Sequence, residues 1–529
     1  METTSLTRPR VIFNDDGSNF LYCWDDVGAE DLRAYLSRLK DTQVDMVAYC
    51  VAFGGYVTYY DSEVAEPLGT GFSLTDEVKQ RRGVHNRARL REETGDYIGF
   101  VFSTLREMGI PAVASIRMND AHMSSDPVGP VAGRFWMNHP EWRLGEPYGY
   151  YASCLDYAVP AVREYLRRLV LEVLGKFPDI AGIELDGLRS PFFFPDGEGR
   201  EKAPIMTDFI RQIRADLDAA ARGRERYQLR LTVPRSPALA LETGLDVCAW
   251  DEEGLVEGVA PGCYNTDFQP PIDEWKQVLS DRMPVHAYIG CSPATAQYLA
   301  LEEYRGAAAN AYAAGADGIY LFNFPCLDEL SFQLPCPPER PPFPAPEFHA
   351  QCWHPDLVRS HQALRELGDP AQLAHADKRF LFYLGPPPYR HHVTEGAGIE
   401  RLQPRPAELV WRCYEDFGSA SETRLELKLV GVTLRDRFEF RLNGEIISGD
   451  RLQRLHASNG RDARLHPTSL GPYSLYVLRP NPATLRRGEN RLSISLTQGE
   501  PNLLGAIDVR ELEVTVRYTA PRPQAGGSA

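Results

Sequence analysis

Between Arg10 and Phe324, short apolar runs rich in β-branched and aromatic residues alternate with longer amphipathic stretches, the rhythm of βα units around a parallel sheet. Eight such runs predict strands at Val11–Asp15, Asp45–Ala52, Pro111–Arg117, Ala181–Asp186, Gln228–Val233, Glu257–Pro261, Pro284–Ile289 and Gly318–Asn323. Helices are expected at Ala29–Lys40, Asp96–Met108, Pro160–Lys176, Ala203–Ala221, Ile272–Ser280 and Thr295–Ala314. A further helical pair, Pro237–Glu242 and Val247–Glu253, is broken at Gly244. No G-x-G-x-x-G follows the first strand, so an α/β fold of the (β/α)8 TIM-barrel kind is expected rather than a doubly wound sheet.

After Phe324 the pattern changes. Pro325, Pro335, Pro337, Pro338, Pro341, Pro342, Pro344 and Pro346 crowd one stretch, the composition of an extended linker. Short helices are expected at Pro355–Leu367 and Pro370–His375. Alternating runs then predict strands at Glu408–Tyr414, Arg424–Val430, Arg437–Leu442, Ser474–Leu478, Arg491–Leu496 and Leu512–Tyr518, parted by turns such as Asn443-Gly444. The expected order is a barrel over 1–325, a Pro-rich linker with short helices over 326–378, an antiparallel β-sandwich over 379–520 and a disordered tail over 521–529.

Composition narrows the partners. The 529 residues carry 57 basic and 73 acidic side chains, a formal charge of −16 with no basic patch, which argues against nucleic acid and anionic membrane surfaces. No apolar window is long enough to span a bilayer, and the ten scattered cysteines include no C-x-x-C pair, so a reducing, cytoplasmic setting without a zinc knuckle is expected. Self-association rests only on the general tendency to symmetric oligomers. No cofactor is called for, and neither metal-ligand spacings nor the nucleophile-elbow and phosphate-loop motifs occur.

The chemistry concentrates in Gly182-Ile183-Glu184-Leu185-Asp186-Gly187-Leu188-Arg189. Residues two apart on a strand share a face, so Glu184 and Asp186 point the same way and their repulsion raises the pKa of one of them. A protonated acid beside a charged carboxylate is the division of labour that glycosidic cleavage uses, with Glu184 as general acid and Asp186 as its partner. The competing explanation is a salt-bridge network at the barrel mouth. Around these two, the strand ends supply Asp15, Asp16, Arg117, Asn119, His122, Arg189, Arg235, Tyr264, Asp267, Tyr288 and Asn323, a set suited to pairing the hydroxyls of a carbohydrate substrate. His286 lies on the seventh strand. The long loop after the third strand carries Phe135, Trp136, Trp142, Tyr148, Tyr150 and Tyr151, and Trp136 is the expected sugar platform among them.

The strand-four segment, with Gly244-Leu245-Asp246-Val247, Val259-Ala260-Pro261-Gly262 and Gly315-Ala316-Asp317-Gly318-Ile319-Tyr320-Leu321-Phe322-Asn323, resembles bacterial barrel proteins called family-ten-like glycosyl hydrolases, which often carry a sandwich-type accessory domain. The resemblance implies an acid/base ending strand four, the position of Glu184, and a nucleophilic glutamate ending strand seven. Here strand seven reads Pro284-Val285-His286-Ala287-Tyr288-Ile289-Gly290 and has no carboxylate. Three routes stay open: inversion with Asp186, Asp267 or a first-loop aspartate such as Asp15 activating water, assistance by a substrate group oriented by Asp186, or participation of Tyr288. A sugar-binding barrel without turnover and a metal-dependent isomerase or lyase are the competing functions.

Overall fold

All eight expected barrel strands form, as β1 Val11–Asp15, β2 Val44–Phe53, β3 Ala112–Arg117, β4 Gly182–Asp186, β5 Gln228–Pro234, β6 Gly258–Gly262, β7 His286–Ile289 and β8 Gly318–Leu321. They are parallel and paired in the order β6-β5-β4-β3-β2-β1-β8-β7. This computed structural model describes residues 8–23, 26–54, 56–70, 78–122, 129, 131–221, 223, 225–291, 299–324, 361–384, 397–402, 404–457 and 473–518. The Pro-rich stretch 325–360 and the expected tail 521–529 lie outside them.

The ring closes between β6 and β7 through the isolated bridges Val259↔Val285 and Asn265↔Cys291. Along this seam the Val259 amide donates to the Pro284 carbonyl at 3.1 Å. The next amide on that side of β6 belongs to position 261, and Pro261 has none to give, so the ladder is interrupted where the barrel closes. The lumen holds a core of Ile12, Met46, Ala48, Val113, Ala260, Tyr288, Tyr320 and Phe322, and every residue of β1, β3, β4 and β5 is buried. Burial on both faces is why these strands read as nearly continuous apolar runs.

Gly182 opens β4 hard against β5, where a Cβ would overlap the Gln228 carbonyl oxygen. A backbone neighbour cannot rotate aside. Gly182→Ala is therefore expected to cost roughly 1–3 kcal/mol, checked by the midpoint of denaturant unfolding.

The helices Ala29–Ser37, Tyr97–Glu107, Pro160–Lys176, Gly199–Ala221, Pro237–Glu242, Val247–Glu252 and Ile272–Val278 follow the expected rhythm. Pro160 occupies the first turn of its helix, where its missing N–H costs no bond. Among the described residues no helix is long and apolar enough to cross a membrane. Two elements in the loop after β2 were not expected: a two-residue strand, Val57–Thr58, pairing with β2, and a helix at Val78–Thr94.

Contacts divide the chain into two units. The first is the barrel. The second takes in Asp369–Ala529 together with Asp267–Gln269 and the stretch holding the helix Leu301–Ala313. That helix was expected as the last barrel helix, yet its Asn310 donates to Phe268 and Arg412 carbonyls at 2.8 and 2.9 Å and accepts from the Tyr414 amide at 3.1 Å. Those partners all belong to the second unit.

The second unit contains two antiparallel sheets. One has Lys378–Tyr383, Ile507–Arg517, Glu422–Val430, Tyr473–Leu478 and Leu452–Ala457 in that order, with Ala397–Ile399 also on Ile507–Arg517. The other runs Ala407–Cys413, Gly488–Gln498, Arg437–Leu442 and Glu445–Ile447. Strict burial alternation along Ala407–Cys413 shows one face packed and one solvated. All six expected strands are present, and the four additional ones are Lys378–Tyr383, Ala397–Ile399, Glu445–Ile447 and Leu452–Ala457. The expected helices are represented by a 3-10 turn at His361–Arg365 and an α-turn at Pro370–Leu373.

Candidate active site

β4 presents Glu184 and Asp186 to the lumen one layer apart, with Asp186 the nearer to the C-terminal rim. Both are buried, at 2% and 6% exposure. Glu184 Oε1 accepts from the Tyr320 hydroxyl of β8 at 2.9 Å. Burial first, then the neighbouring charge of Asp186, pushes Glu184 up to about 7, against hydrogen bonds from Ser115 and Tyr320 that favour the ionised form. A carboxyl poised there can hold a proton at neutral pH and release it within the same range.

Asp186 is held differently. Its Oδ1 accepts from the Thr232 hydroxyl of β5 at 2.5 Å and from the Leu188 and Arg189 amides at 3.0 and 3.1 Å. Three donors on one oxygen fix the carboxylate and leave Oδ2 without a hydrogen bond from any described residue.

Removing the Tyr320 hydroxyl takes away a bond that favours ionised Glu184. Tyr320→Phe is expected to move the Glu184 titration to higher pH, which a pH–rate profile or carboxyl-labelled NMR titration would detect. The ring itself is locked: Tyr288 stacks on Tyr320 with centroids 5.7 Å apart and on Phe322 at 5.1 Å. Gly262 makes room for that stack, since a Cβ there would lie 2.5 Å from Tyr288.

Above this layer the strand ends are joined in one network. Arg117, at the end of β3, pairs with Asp16 at 2.8 Å and Asp120 at 2.6 Å. Asp16 also accepts from Asn323 Nδ2 at 2.7 Å. Asn323 is held in the left-handed region at φ +45°, its amide donating to Asn14 Oδ1 at 3.0 Å. Asp120 additionally accepts from the Gly54 and His122 amides at 3.1 and 3.0 Å and from His122 Nδ1. Burial alone would raise Asp120, but the Arg117 charge and the hydrogen bond from His122 hold it well below the usual carboxylate range. His122 Nε2 faces Arg189 Nη2 at 3.2 Å. A guanidinium only donates, so Nε2 is the acceptor and the imidazole proton sits on Nδ1, toward Asp120. The Arg189 guanidinium lies 5.0 Å over Tyr264 and 5.5 Å over Phe322.

Thus Glu184, Asp186, Asp16, Arg117, His122, Arg189, Tyr264, Tyr288 and Asn323 are brought together at the barrel's C-terminal end. Other expected residues are engaged with partners of their own. Asp15 lies on the opposite face of β1, buried against the helix layer, where it accepts from the Tyr35 hydroxyl at 2.5 Å and the Gly17 amide at 2.8 Å. Asn119 staples its loop, donating to the Leu155 and Phe192 carbonyls and accepting from the Leu155 amide.

Trp136 is a loop-core residue at 2% exposure, its Nε1 on the Ser153 carbonyl and its ring 3.5 Å under Arg143, and is no open platform. Tyr148 and Tyr151 are likewise buried, in a cluster with Ala121 and Cys154. Asp267 belongs to the second unit and accepts from the Gln269 amide in its own turn. The Arg235 carbonyl accepts from Trp275 Nε1. His286 opens β7 at the opposite end of the barrel, pushed down to about 3 by burial and Arg230, with Nε2 on the Pro9 carbonyl at 2.9 Å.

Sequence reasoning missed Tyr320 and Thr232 as carboxylate partners. Period two along their strands was the available signal, since Tyr320 shares a face with Phe322, and Thr232 registers opposite Asp186. Among the described residues no group of three or more His, Cys, Asp and Glu side chains gathers as a metal site.

No protein-family model matches the chain, and no curated protein does. Among solved structures, it is similar to an alpha-L-fucosidase from Bacteroides thetaiotaomicron at 9% identity over 96% of this chain and 93% of that one, with a TM-score of 0.35. It is also similar to alpha-L-fucosidase isoenzyme 1 from Paenibacillus thiaminolyticus, at 14% identity over 93% and 97% with a TM-score of 0.34. A cycloisomaltooligosaccharide glucanotransferase from Paenibacillus sp. aligns at 9% identity over 96% of this chain, which spans 57% of that one, with a TM-score of 0.34. Likeness at this level bears on neither substrate nor mechanism.

Proposed function

We propose that the protein is a glycoside hydrolase in which Glu184 donates the proton to the leaving oxygen and Asp186 orients the reacting group. The observation that carries this reading is the pair itself: a carboxyl poised at about 7 beside a second carboxylate fixed by three donors, inside a barrel at its C-terminal end. The resemblance of the strand-four motif to family-ten-like glycosyl hydrolases agrees with it.

The route we favour is assistance by a substrate group rather than a protein base. Asp15 faces the helix layer, Asp267 is engaged in a turn of the second unit, and Asp16 is bound to Arg117. Asp186 retains an oxygen for a substrate group, and two carboxylates two residues apart stand closer than the roughly 6.5–9.5 Å that an inverting pair uses. Substrate assistance retains the anomeric configuration.

The burial of Glu184, one layer beneath Asp186, favours a second reading, a barrel that binds sugar without cleaving it. Incubation of the full chain and its Glu184→Gln and Asp186→Asn variants with a panel of aryl glycosides and glycans separates the two. Hydrolysis lost in both variants, with retention in the proton NMR of the first-formed anomer, is the expected result. Turnover unchanged in both would overturn the strand-four assignment, and sugar binding with no turnover would establish the second reading.

A further inference from the structure

We infer that the ligand of this site carries an anionic substituent, a sugar carboxylate, and that Arg189 receives it. The location rests on the glycosidase reading of the barrel mouth. The ligand chemistry rests on a separate observation, a buried guanidinium N–H that no described residue satisfies.

Arg117 has two carboxylates, Asp16 and Asp120. Asp120 in turn has Arg117, two backbone amides and His122, and Asp186 has three donors. Of the two guanidiniums, Arg189 makes no ion pair with any described residue. Its Nη2 meets the acceptor His122 Nε2, while its Nη1 is buried and meets no acceptor among the described residues. A buried N–H without a partner costs the full desolvation of that group, and a charged one costs more.

The guanidinium is also held in place. The Tyr264 and Phe322 rings flank it, and the Asp120–His122 pair offers it a lone pair in a fixed direction because the imidazole proton is committed to Asp120. A planar, pre-oriented cation with a vacant donor is suited to a carboxylate, which completes the missing bond with charge assistance. A neutral sugar hydroxyl could accept there too, but without the charge assistance that makes a carboxylate the stronger acceptor. The chain's net charge of −16 repels anionic ligands at long range, so any selectivity for them has to be supplied locally, as here.

The test is calorimetric titration of the Glu184→Gln protein, which does not consume its ligand, with methyl glucuronide and methyl galacturonide, their neutral hexoside counterparts and the methyl esters of both uronides. The uronides are expected to bind at least about tenfold more tightly than hexosides or esters, and an added Arg189→Gln change is expected to erase that preference. Comparison of acid with methyl ester needs no second variant and holds even if Arg189→Gln misfolds. Equal affinity for acid and ester, or a preference that survives Arg189→Gln in a folded protein, would overturn the inference.

Sulfated hexosides form a further arm. If they bind instead of uronides with the same dependence on Arg189, the anion receptor stands and its ligand is a sulfate ester. Wild-type protein that binds uronides selectively but hydrolyses no glycoside would refute the glycosidase reading and leave this one intact. Hydrolysis confined to neutral glycosides without acid preference would do the reverse.

Discussion

Glu184→Gln is expected to lower kcat by roughly 10²–10⁴-fold, the usual contribution of a positioned general acid, while leaving the affinity for a ground-state sugar nearly unchanged. The amide keeps the shape and can still meet the Tyr320 hydroxyl, but it has no proton to give. The same substitution should not destabilise the protein. A carboxyl whose folded value of about 7 lies above its ordinary 4.5 binds its proton more tightly in the folded state. Stability therefore falls as pH rises from about 4.5 to about 7, and above that range the penalty is complete, on the order of 3 kcal/mol. Glutamine escapes it. Thermal unfolding should place the variant above the wild type at pH 8, with the gap narrowing toward pH 5. A variant less stable at pH 8 would show that burial of this carboxyl is not the strained feature described here.

Arg117→Met carries the largest expected loss of stability. Methionine fills much of the space of the arginine stem but leaves Asp16 and Asp120 buried without their shared cation. Breaking a buried pair from one side typically costs about 3–5 kcal/mol, because the abandoned charge cannot return to water. For a domain of this size that corresponds to a fall of roughly 5–10 °C in the unfolding midpoint. Asp120 also holds Gly54 and His122, so the loops after β2 and β3 should loosen together. Differential scanning calorimetry reads the first effect and hydrogen exchange of the Gly54 and His122 amides the second. A midpoint within a degree of the wild type would show the cluster to be solvated and the pairing unimportant.

The barrel was legible because its strands are buried on both faces and therefore announce themselves as apolar runs, with ends misplaced by a residue or two. The helix Val78–Thr94 was not. Its inward stripe is Gly83, Asn86, Arg87 and Leu90, which has helical spacing but only one large apolar member. Those polar residues are buried because they cap loop backbone: Asn86 bonds the Val27 amide and the Leu21 carbonyl, and Arg87 bonds the Tyr59 carbonyl and Asp61. Hydrophobic periodicity is blind to an interface made of hydrogen bonds.

The site divides in the same way. Asp15 could have been excluded on period two alone, since Ile12 and Asn14 share the inward face and the intervening positions do not. Trp136, Tyr148 and Tyr151 could not, because an aromatic run in a long loop reads alike whether it lines a cleft or fills the loop's own core. Nor was the Asp16–Arg117–Asp120–His122–Arg189 chain readable, although Asp16, Arg117, His122 and Arg189 were in view. Which carboxylate neutralises which cation is decided by how strand ends from distant parts of the sequence converge.

The most direct measurement is the pH dependence of kcat/KM on a hydrolysed glycoside, for the wild type and for Glu184→Gln. A general acid must be protonated to act, so the wild-type profile is expected to fall above pH 7 with a limb centred near the Glu184 value. The residual activity of Glu184→Gln is expected to lack that limb. An unchanged limb in the glutamine variant, or a rate that does not drop, would contradict the assignment of Glu184 as the proton donor.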